Sequence, residues 1–396
     1  ALLVEVLVGR WRVGAATGDP GCERHLHRAS ELAADLPLAT RVVEAREGWA
    51  RSLARQGDAL AAVSVVEKLR EEVERAGRLH DLAWLMYSMT TIYERAGRCA
   101  EARDAARQGG ALLLDLESMP GLGLLLQGIG ELTGGSLQTA TGLLDEALAA
   151  HAGASEPEWL GVTLLHRGRA HLAAGEYADA AAVLRRCQRA LTGRGYADPA
   201  MYPFDADLAE ALVSIGEPDA ARDVLDDAHQ RATHLGRDVV LLGLARVRAV
   251  VRLATGDRTG SATALRDAIT AYASRAYPVD LARAWLTLAS LERRNRRRAP
   301  ARAAVTTALQ MCDVAGATVL RNQVIAEQAR IDGVRDGASL TATERRIVEQ
   351  VRAGATNQEI ATTLFLSVKA VEGTLTRLYR QLGVRNRTEL ARTTDP

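Results

Sequence analysis

A turn signal recurs about every forty residues through the first three hundred residues of the chain. Each signal is a glycine followed by a polar residue at the end of an amphipathic run: Gly18-Asp19, Gly57-Asp58, Gly97-Arg98, Gly135-Ser136, Gly175-Glu176, Gly216-Glu217 and Gly256-Asp257. The gaps are 39, 40, 38, 40, 41 and 40 residues, and an eighth turn without glycine is expected near residues 296–298. Such a fixed period predicts a solenoid of stacked units.

Each unit is predicted to be a pair of helices. One face of residues 41–55 carries four apolar side chains at helical spacing: Val42, Ala45, Trp49 and Leu53. Gly57 is expected to end this helix, because glycine enters the left-handed C-cap conformation without steric penalty. Asp58 is the predicted N-cap of a second helix over residues 59–76, because its carboxylate can accept from free backbone N–H groups.

Ala, Leu and Arg recur throughout and favour helices, so the predicted fold class is all-α. Aromatic residues make up only 4% of the chain, and five of them are predicted to pack in the helical core: Trp84, Tyr87, Tyr93, Trp159 and Trp285. The basic run ERRNRRRAPAR at 292–302 is interpreted as a solvated turn between helices, with a nucleic-acid contact as the alternative.

Small residues cluster around the predicted turns, as in Ala173, Ala174, Gly175, Ala178 and Ala180 with Ala181. This spacing resembles that of tetratricopeptide-like helical repeats, although the period exceeds the usual length of about 34 residues. The resemblance implies about eight units over residues 1–330 and a concave surface that binds a partner. A protein or small-molecule effector is therefore expected to bind the repeats.

A short linker is predicted at 331–338, followed by a separate domain over residues 339–396. Four helix starts are expected there. Capping boxes are predicted for the pairs Thr341 and Glu344, Thr356 and Glu359, and Asn386 and Glu389, with Ser367 as the N-cap of the helix between. Gly354 and Gly383 are the predicted ends of the first and third helices. The short second helix, only a few residues before the third, predicts a helix-turn-helix.

The third helix, predicted over 368–382, has two chemically different faces. One is an apolar stripe expected to pack against the other helices: Val371, Leu375, Leu378 and Leu382 against Ile347, Val348, Val351, Ile360 and Leu364. The opposite face carries the polar groups Lys369, Glu372, Gly373, Thr376, Arg377 and Arg380. A helix with such a face can enter a major groove about 12 Å wide.

The strings LTATE, GATNQEIATTLFLS and AVEGTLTRLYRQLGVRNRTELA are similar to the LuxR-family helix-turn-helix. The resemblance implies binding to double-stranded operator DNA as a homodimer. It implies base contacts by Glu372, Gly373 and Thr376, and phosphate contacts by Thr356, Asn357, Lys369, Ala370 and Arg377, with Arg380 on the same face. Ala370 stands where the family usually has Thr, so a hydroxyl contact to phosphate is expected to be missing.

Two of these positions need an explanation of their own. Relatives often have Lys or Arg at the position of Glu372. We predict that Glu372 selects bases by accepting a hydrogen bond from cytosine N4 and does not add affinity. Gly373 costs about 1 kcal/mol of helix propensity. Either it has no functional meaning or it allows the backbone to approach the bases, and the sequence leaves both open.

Other classes of site have little support in the sequence. There is no HExxH, GxSxG or P-loop motif, so no catalytic residue, cofactor or metal site is predicted. The pairs His25 and His27, and His166 and His171, lie on different helical faces. The four scattered cysteines predict buried reduced thiols. No membrane span is expected, so the protein is predicted to be cytoplasmic.

The overall charge is +1, whereas residues 338–396 contain nine basic and six acidic residues, a net charge of +3. Exposed cations there, including Arg385 and Arg387, favour a DNA partner.

The order of repeats and DNA reader resembles the large ATP-binding LuxR regulators, so one alternative is a fragment of an ATPase-coupled regulator. Another is a protein-interaction scaffold whose terminal bundle does not bind DNA.

Overall fold

Every regular element among the described residues is helical, which confirms the all-α prediction. The computed structural model describes residues 2–116, 119–152, 157–333, 342–364, 367–381, 384 and 386–392. The chain divides into two units, Ala1–Glu327 and Gln328–Pro396. None of the described helices is both long enough and apolar enough to cross a lipid bilayer.

Consecutive helix pairs and one further helix account for the repeat segment. The pairs are α1 (Leu2–Thr17) with α2 (Glu23–Ala34), α3 (Thr40–Gln56) with α4 (Ala59–Arg75), α5 (Leu79–Arg95) with α6 (Cys99–Asp115), α7 (Pro120–Gly134) with α8 (Leu137–Ala152), α9 (Pro157–Ala174) with α10 (Tyr177–Thr192), α11 (Asp205–Ser214) with α12 (Pro218–Leu235), α13 (Leu241–Ala254) with α14 (Arg258–Tyr272), and α15 (Pro278–Arg294) with α16 (Arg298–Ala315). The single helix α17 (Thr318–Asp332) follows, and a short 3₁₀ turn, Asp238–Val240, precedes α13.

The predicted turn chemistry is present between the paired helices. Gly57 ends α3 with a φ of 100°, and the Asp58 side chain accepts from the backbone N–H of Ala61 at 3.1 Å. Asp257 repeats this cap by accepting from the backbone N–H of Gly260, whereas Arg98, Glu176 and Glu217 make no side-chain cap. Six of the seven predicted turn glycines have a positive φ, and Gly135, with a φ of −125°, does not. There Glu131 accepts from the backbone N–H of Ser136 at 2.9 Å. The turn predicted without glycine has Arg296 in the left-handed region, at a φ of 61°.

The predicted aromatic core residues are buried to different degrees. Tyr87 and Tyr93 are buried, whereas Trp84, Trp159 and Trp285 are half-buried. The ring centroids of Trp84 and Tyr87 lie 5.7 and 5.2 Å from that of Trp159. These rings therefore join α5 to α9, which three helices separate in the sequence.

Helices far apart in sequence also contact each other within the repeat unit. The hydroxyl of Tyr277 donates to the Ala54 carbonyl at 3.1 Å, and Arg237 pairs with Glu23 at 2.8 Å. Thr318 donates to the Gly134 carbonyl at 3.0 Å. In a simple solenoid each repeat contacts only its neighbours in the sequence. Here the repeats also contact distant ones.

Paired charges, rather than apolar side chains, fill part of the space between these helices. Asp207 on α11 accepts from Arg169 on α9 and from Arg283 on α15, each at 2.7 Å. Burial by itself would raise the pKa of Asp207, but the two guanidinium groups outweigh it and hold that pKa below its usual range. These ion pairs connect α9, α11 and α15 within the repeat unit.

The linker predicted at 331–338 lies next to the end of α17, and the division into units falls after Glu327. Helix α17 extends through Ile331 and Asp332, two residues into the predicted linker at 331–338. Residues 334–338 lie outside the described residues. All four cysteines are free and buried, as predicted.

Candidate DNA-binding interface

Four short helices enclose an apolar core in the C-terminal unit: α18 (Ala342–Arg352), α19 (Asn357–Leu364), α20 (Val368–Gln381) and α21 (Arg387–Arg392). The buried side chains include most of the predicted set: Ile347, Val348, Val351, Ile360, Val371, Leu375 and Leu378, together with Ala361 and Leu390. Leu364 is half-buried against them. The predicted core residue Leu382 lies outside the described residues, as does the predicted helix end Gly383.

The predicted capping box at the start of α19 is confirmed. The backbone N–H and the hydroxyl of Thr356 both donate to the Glu359 carboxylate, at 2.6 and 2.9 Å. The backbone N–H of Glu359 donates to the Thr356 hydroxyl at 3.3 Å. These hydrogen bonds lower the pKa of Glu359, and the bond from the backbone of Thr356 has the largest effect.

The other predicted helix starts have different outcomes. Ser367 caps α20 by accepting from the backbone N–H of Ala370 at 3.1 Å, and Asn386 caps α21 by accepting from that of Glu389 at 2.9 Å. The first box is not described, because Thr341 and the side chain of Glu344 lie outside the described residues. Gly354, with a φ of 81°, follows the end of α18 as predicted.

Helix α20 has the two faces that the sequence predicted. Its buried side holds Val371, Leu375 and Leu378. Its exposed side presents the predicted reading and phosphate positions Lys369, Ala370, Glu372, Gly373 and Thr376. The helix start after Ser367 and the short preceding helix α19 produce a helix-turn-helix in which this side of α20 is free within its unit.

Two exposed positions on α20 have informative surroundings. A Cβ added to Gly373 would meet no atom within 4 Å, so no neighbour in the protein requires glycine there. The Thr376 hydroxyl donates to the Glu372 carbonyl at 2.9 Å, which leaves its oxygen to accept a hydrogen bond. Arg377 and Arg380 belong to α20, but their side chains lie outside those described.

Asn357, a predicted phosphate contact at the start of α19, is held by a side chain from another helix. Arg387, at the start of α21, donates from Nη1 to Oδ1 of Asn357 at 2.9 Å and from Nη2 to the Ala355 carbonyl. Arg387 is half-buried rather than exposed, so its expected role as a free surface cation is wrong. Arg385 lies outside the described residues.

This contact could not be predicted from the sequence. Asn357 and Arg387 are 30 residues apart, and no pattern within either helix links them. The arrangement orients the Asn357 amide, because its oxygen is engaged and its nitrogen remains available as a donor. Thr356 and Asn357 thus lie at a helix N-terminus where backbone N–H groups also favour an anion.

Among the described residues one group has the composition of a cation site. One ligand atom each from His171, Glu176 and Asp179 lies within 4.8 Å of the others. His171 Nδ1 is 2.7 Å from the Glu176 carboxylate. The spacing of His171 relative to His166 gives no sign of these acids. His166 is buried, and burial, with a smaller effect from Arg169, lowers its pKa to about 3.

Residues 338–394 match the family model GerE, described as bacterial regulatory proteins of the luxR family. A putative HTH-type transcriptional regulator of Mycobacterium bovis is 38% identical over 80 residues, which are 19% of this chain and 9% of that protein. The CsgBAC operon transcriptional regulatory protein of Escherichia coli K12 is 41% identical over 54 residues, which are 14% of this chain and 25% of that protein. The chain therefore matches a small part of the length of these relatives.

Solved structures resemble the chain over a much longer segment. A Rap protein complexed with Competence and Sporulation Factor covers 85% of this chain and 100% of its own, with a TM-score of 0.54 and 11% identity. A chain of the APC/C hetero-tetramer Cut9-Hcn1 covers 78% of this chain and 57% of its own, with a TM-score of 0.50 and 13% identity. At these identities the likeness shows a shared helical-repeat fold.

Proposed function

We propose that this chain is a sequence-specific DNA-binding transcription regulator whose helix α20 enters the major groove. One observation carries the proposal. Within its unit, α20 buries Val371, Leu375 and Leu378 and leaves the side with Lys369 and Glu372 exposed. The match of residues 338–394 to the LuxR-family model supports the same function.

The predicted site residues then have distinct roles. Lys369, Arg377 and Arg380 supply charge for the DNA backbone, and Thr356 with Asn357 binds a phosphate at the N-terminus of α19. Ala370 lies beside the backbone without a hydroxyl to contribute. Glu372, Gly373 and Thr376 face base edges in the groove, where hydrogen-bonding groups distinguish base pairs.

The repeat unit is proposed to receive the signal that controls DNA binding. Its fold resembles that of a Rap protein solved in complex with Competence and Sporulation Factor. By analogy, we propose that these repeats bind a protein or small-molecule effector, or a second copy of the chain. The chain would thus act in the cytoplasm by binding rather than by catalysis, as a homodimer on double-stranded DNA.

Selection of DNA from a random pool by the full chain tests the proposal. We expect recovery of a single motif, and we expect Lys369→Gln to weaken binding to it about tenfold, because the neutral side chain no longer pairs with a phosphate. The chain offers a matched control, because its other lysine, Lys68, is exposed on α4. Lys68→Gln should bind as the unaltered chain does. Recovery of no motif would favour the scaffold alternative.

A further inference from the structure

The turn between α15 and α16 is the most basic short segment of the chain. Residues 292–302 contain six arginines and a single glutamate. We name residues 293–298 the arginine turn. A turn that only connects two helices needs no such concentration of one charge.

The acidic groups next to the arginine turn are buried and already engaged. Glu292, 1% exposed, pairs with Arg266 and with Arg297, the latter at 3.4 Å. Glu327, 3% exposed, pairs with Arg293 at 2.6 Å. Three exposed arginines of the turn have no ion-pair partner among the described residues: Arg294, Arg296 and Arg298.

The conformation of Arg296 makes arginine an unfavourable choice at its position. Its φ is 61°, in the left-handed region where a Cβ is crowded by the backbone. The corresponding turns place glycine there, as in Gly57 and Gly256, with φ of 100° and 102°. Folding alone would therefore favour glycine over Arg296.

The start of α16 is unfavourable for a second reason. In two of the equivalent turns Asp58 and Asp257 accept from the backbone N–H groups of Ala61 and Gly260, whereas Arg98 before α6 makes no such cap. Helix α16 instead begins at Arg298 after Arg297, with no side-chain cap and no acid in its first turn. Cations at a helix N-terminus oppose the helix dipole, so this turn keeps arginines despite two local costs.

The basic surface continues onto the neighbouring turn. The amide of Asn295 donates to the Arg258 carbonyl at 2.9 Å, which places the turn before α14 beside the arginine turn. Arg258 is itself exposed and has no ion-pair partner among the described residues. Together these side chains present several guanidinium groups whose planar donors suit phosphate oxygens.

We propose that the arginine turn binds the phosphate backbone of duplex DNA as a second contact, outside the helix-turn-helix. The inference rests on the proposed function, because DNA bound by the C-terminal unit is held at a high effective concentration near the repeat unit of the same chain. Guanidinium groups without carboxylate partners are free to release counterions from the duplex on binding. The contact adds affinity but no sequence preference, since phosphates carry no sequence information.

The salt dependence of DNA binding by the full chain tests this contact. We expect the triple variant Arg294→Gln, Arg296→Gln and Arg298→Gln to lower the slope of log K against log salt by about 1 for each phosphate that the protein no longer neutralises. Its preferred motif should not change. The matched control replaces three exposed arginines on or after α10, Arg186, Arg189 and Arg194, with Gln and removes the same charge.

Equal slopes for the two triple variants would overturn the inference. The proposed function would still stand if the unaltered chain selects a motif. If the unaltered chain selects no motif, the proposed function fails, and the same comparison on random-sequence duplex still decides the inference. Another outcome is that the triple variant loses binding to an acidic peptide and keeps its DNA binding. That result would assign the arginine turn to a protein partner and would also refute the inference.

A single substitution separates a binding role from a structural one. Arg296→Gly relieves the left-handed conformation, so the variant should melt at an equal or higher temperature than the unaltered chain. The same variant should bind DNA several-fold more weakly at low salt. A higher melting temperature with unchanged DNA affinity would show that the arginine has no role at the DNA.

Discussion

Arg387 Nη1 donates to the side-chain oxygen of Asn357 at 2.9 Å, across 30 residues of sequence. The same guanidinium also donates to the Ala355 carbonyl, so it joins α21 to the loop before α19. The contact decides which end of the Asn357 amide is available to DNA. Its nitrogen, a donor only, remains for a phosphate oxygen.

We predict that Asn357→Asp separates stability from DNA binding. The new carboxylate should pair more strongly with Arg387, so the melting temperature of the C-terminal unit should not fall. The same charge should repel a phosphate and weaken DNA binding by tenfold or more, about 1.4 kcal/mol. Thermal melting and fluorescence anisotropy measure the two effects, and exposed Asn322→Asp on α17 controls for net charge. Unchanged affinity would remove Asn357 from the interface.

Glu372→Ala is expected to relax the choice of base more than it changes affinity. The carboxylate can accept from cytosine N4 but is repelled by phosphates, so its removal abolishes a preference and a repulsion together. DNA selected from a random pool should lose information at one base pair of the motif. Exposed Glu349→Ala on α18 is the control. An unchanged motif would contradict the assignment of Glu372 to base reading.

Gly373→Ala should stabilise the protein and weaken DNA binding. Alanine gains about 1 kcal/mol of helix propensity over glycine, and the added Cβ meets no protein atom within 4 Å. If the backbone lies close to the bases, the methyl group must instead meet the DNA. Chemical denaturation and DNA titration of the same preparation measure both quantities. Higher stability with full DNA affinity would show that the glycine has no role in binding.

The stability of the repeat unit should fall with rising pH because of Asp205. Burial, only partly offset by Arg231, raises the pKa of Asp205 to about 6. The folded state thus favours the protonated acid, and its contribution is fully present below the unfolded pKa of about 4 and is lost as the pH passes 6.

Asp205→Asn removes this titration. We expect the difference in unfolding free energy between Asp205→Asn and the unaltered chain to move in favour of the variant by up to about 3 kcal/mol between pH 4 and pH 7. Urea denaturation at several pH values measures it, with exposed Asp223→Asn on α12 as control. A constant difference across this range would show that folding does not raise the pKa of Asp205.

Much of the architecture follows from signals that act within a few residues. Gly57 and Asp58 end one helix and begin the next through their own backbone and carboxylate, so the repeat could be predicted from its turns. The Thr356–Glu359 box and the stripe of Val371, Leu375 and Leu378 are equally local. They are sufficient to predict a helix-turn-helix with one polar face.

The tertiary structure alone decided how distant parts of the chain meet. Arg237 and Glu23 are 214 residues apart, and Arg283 reaches Asp207 across 76, so no local periodicity links either pair. Folding brings such charges together because burial without a partner would cost more than the pairing. The turn residues and the amphipathic period therefore determined the helices and the exposed face of α20. The close approach of separate helices determined which of their polar groups, including the oxygen of Asn357, are already engaged.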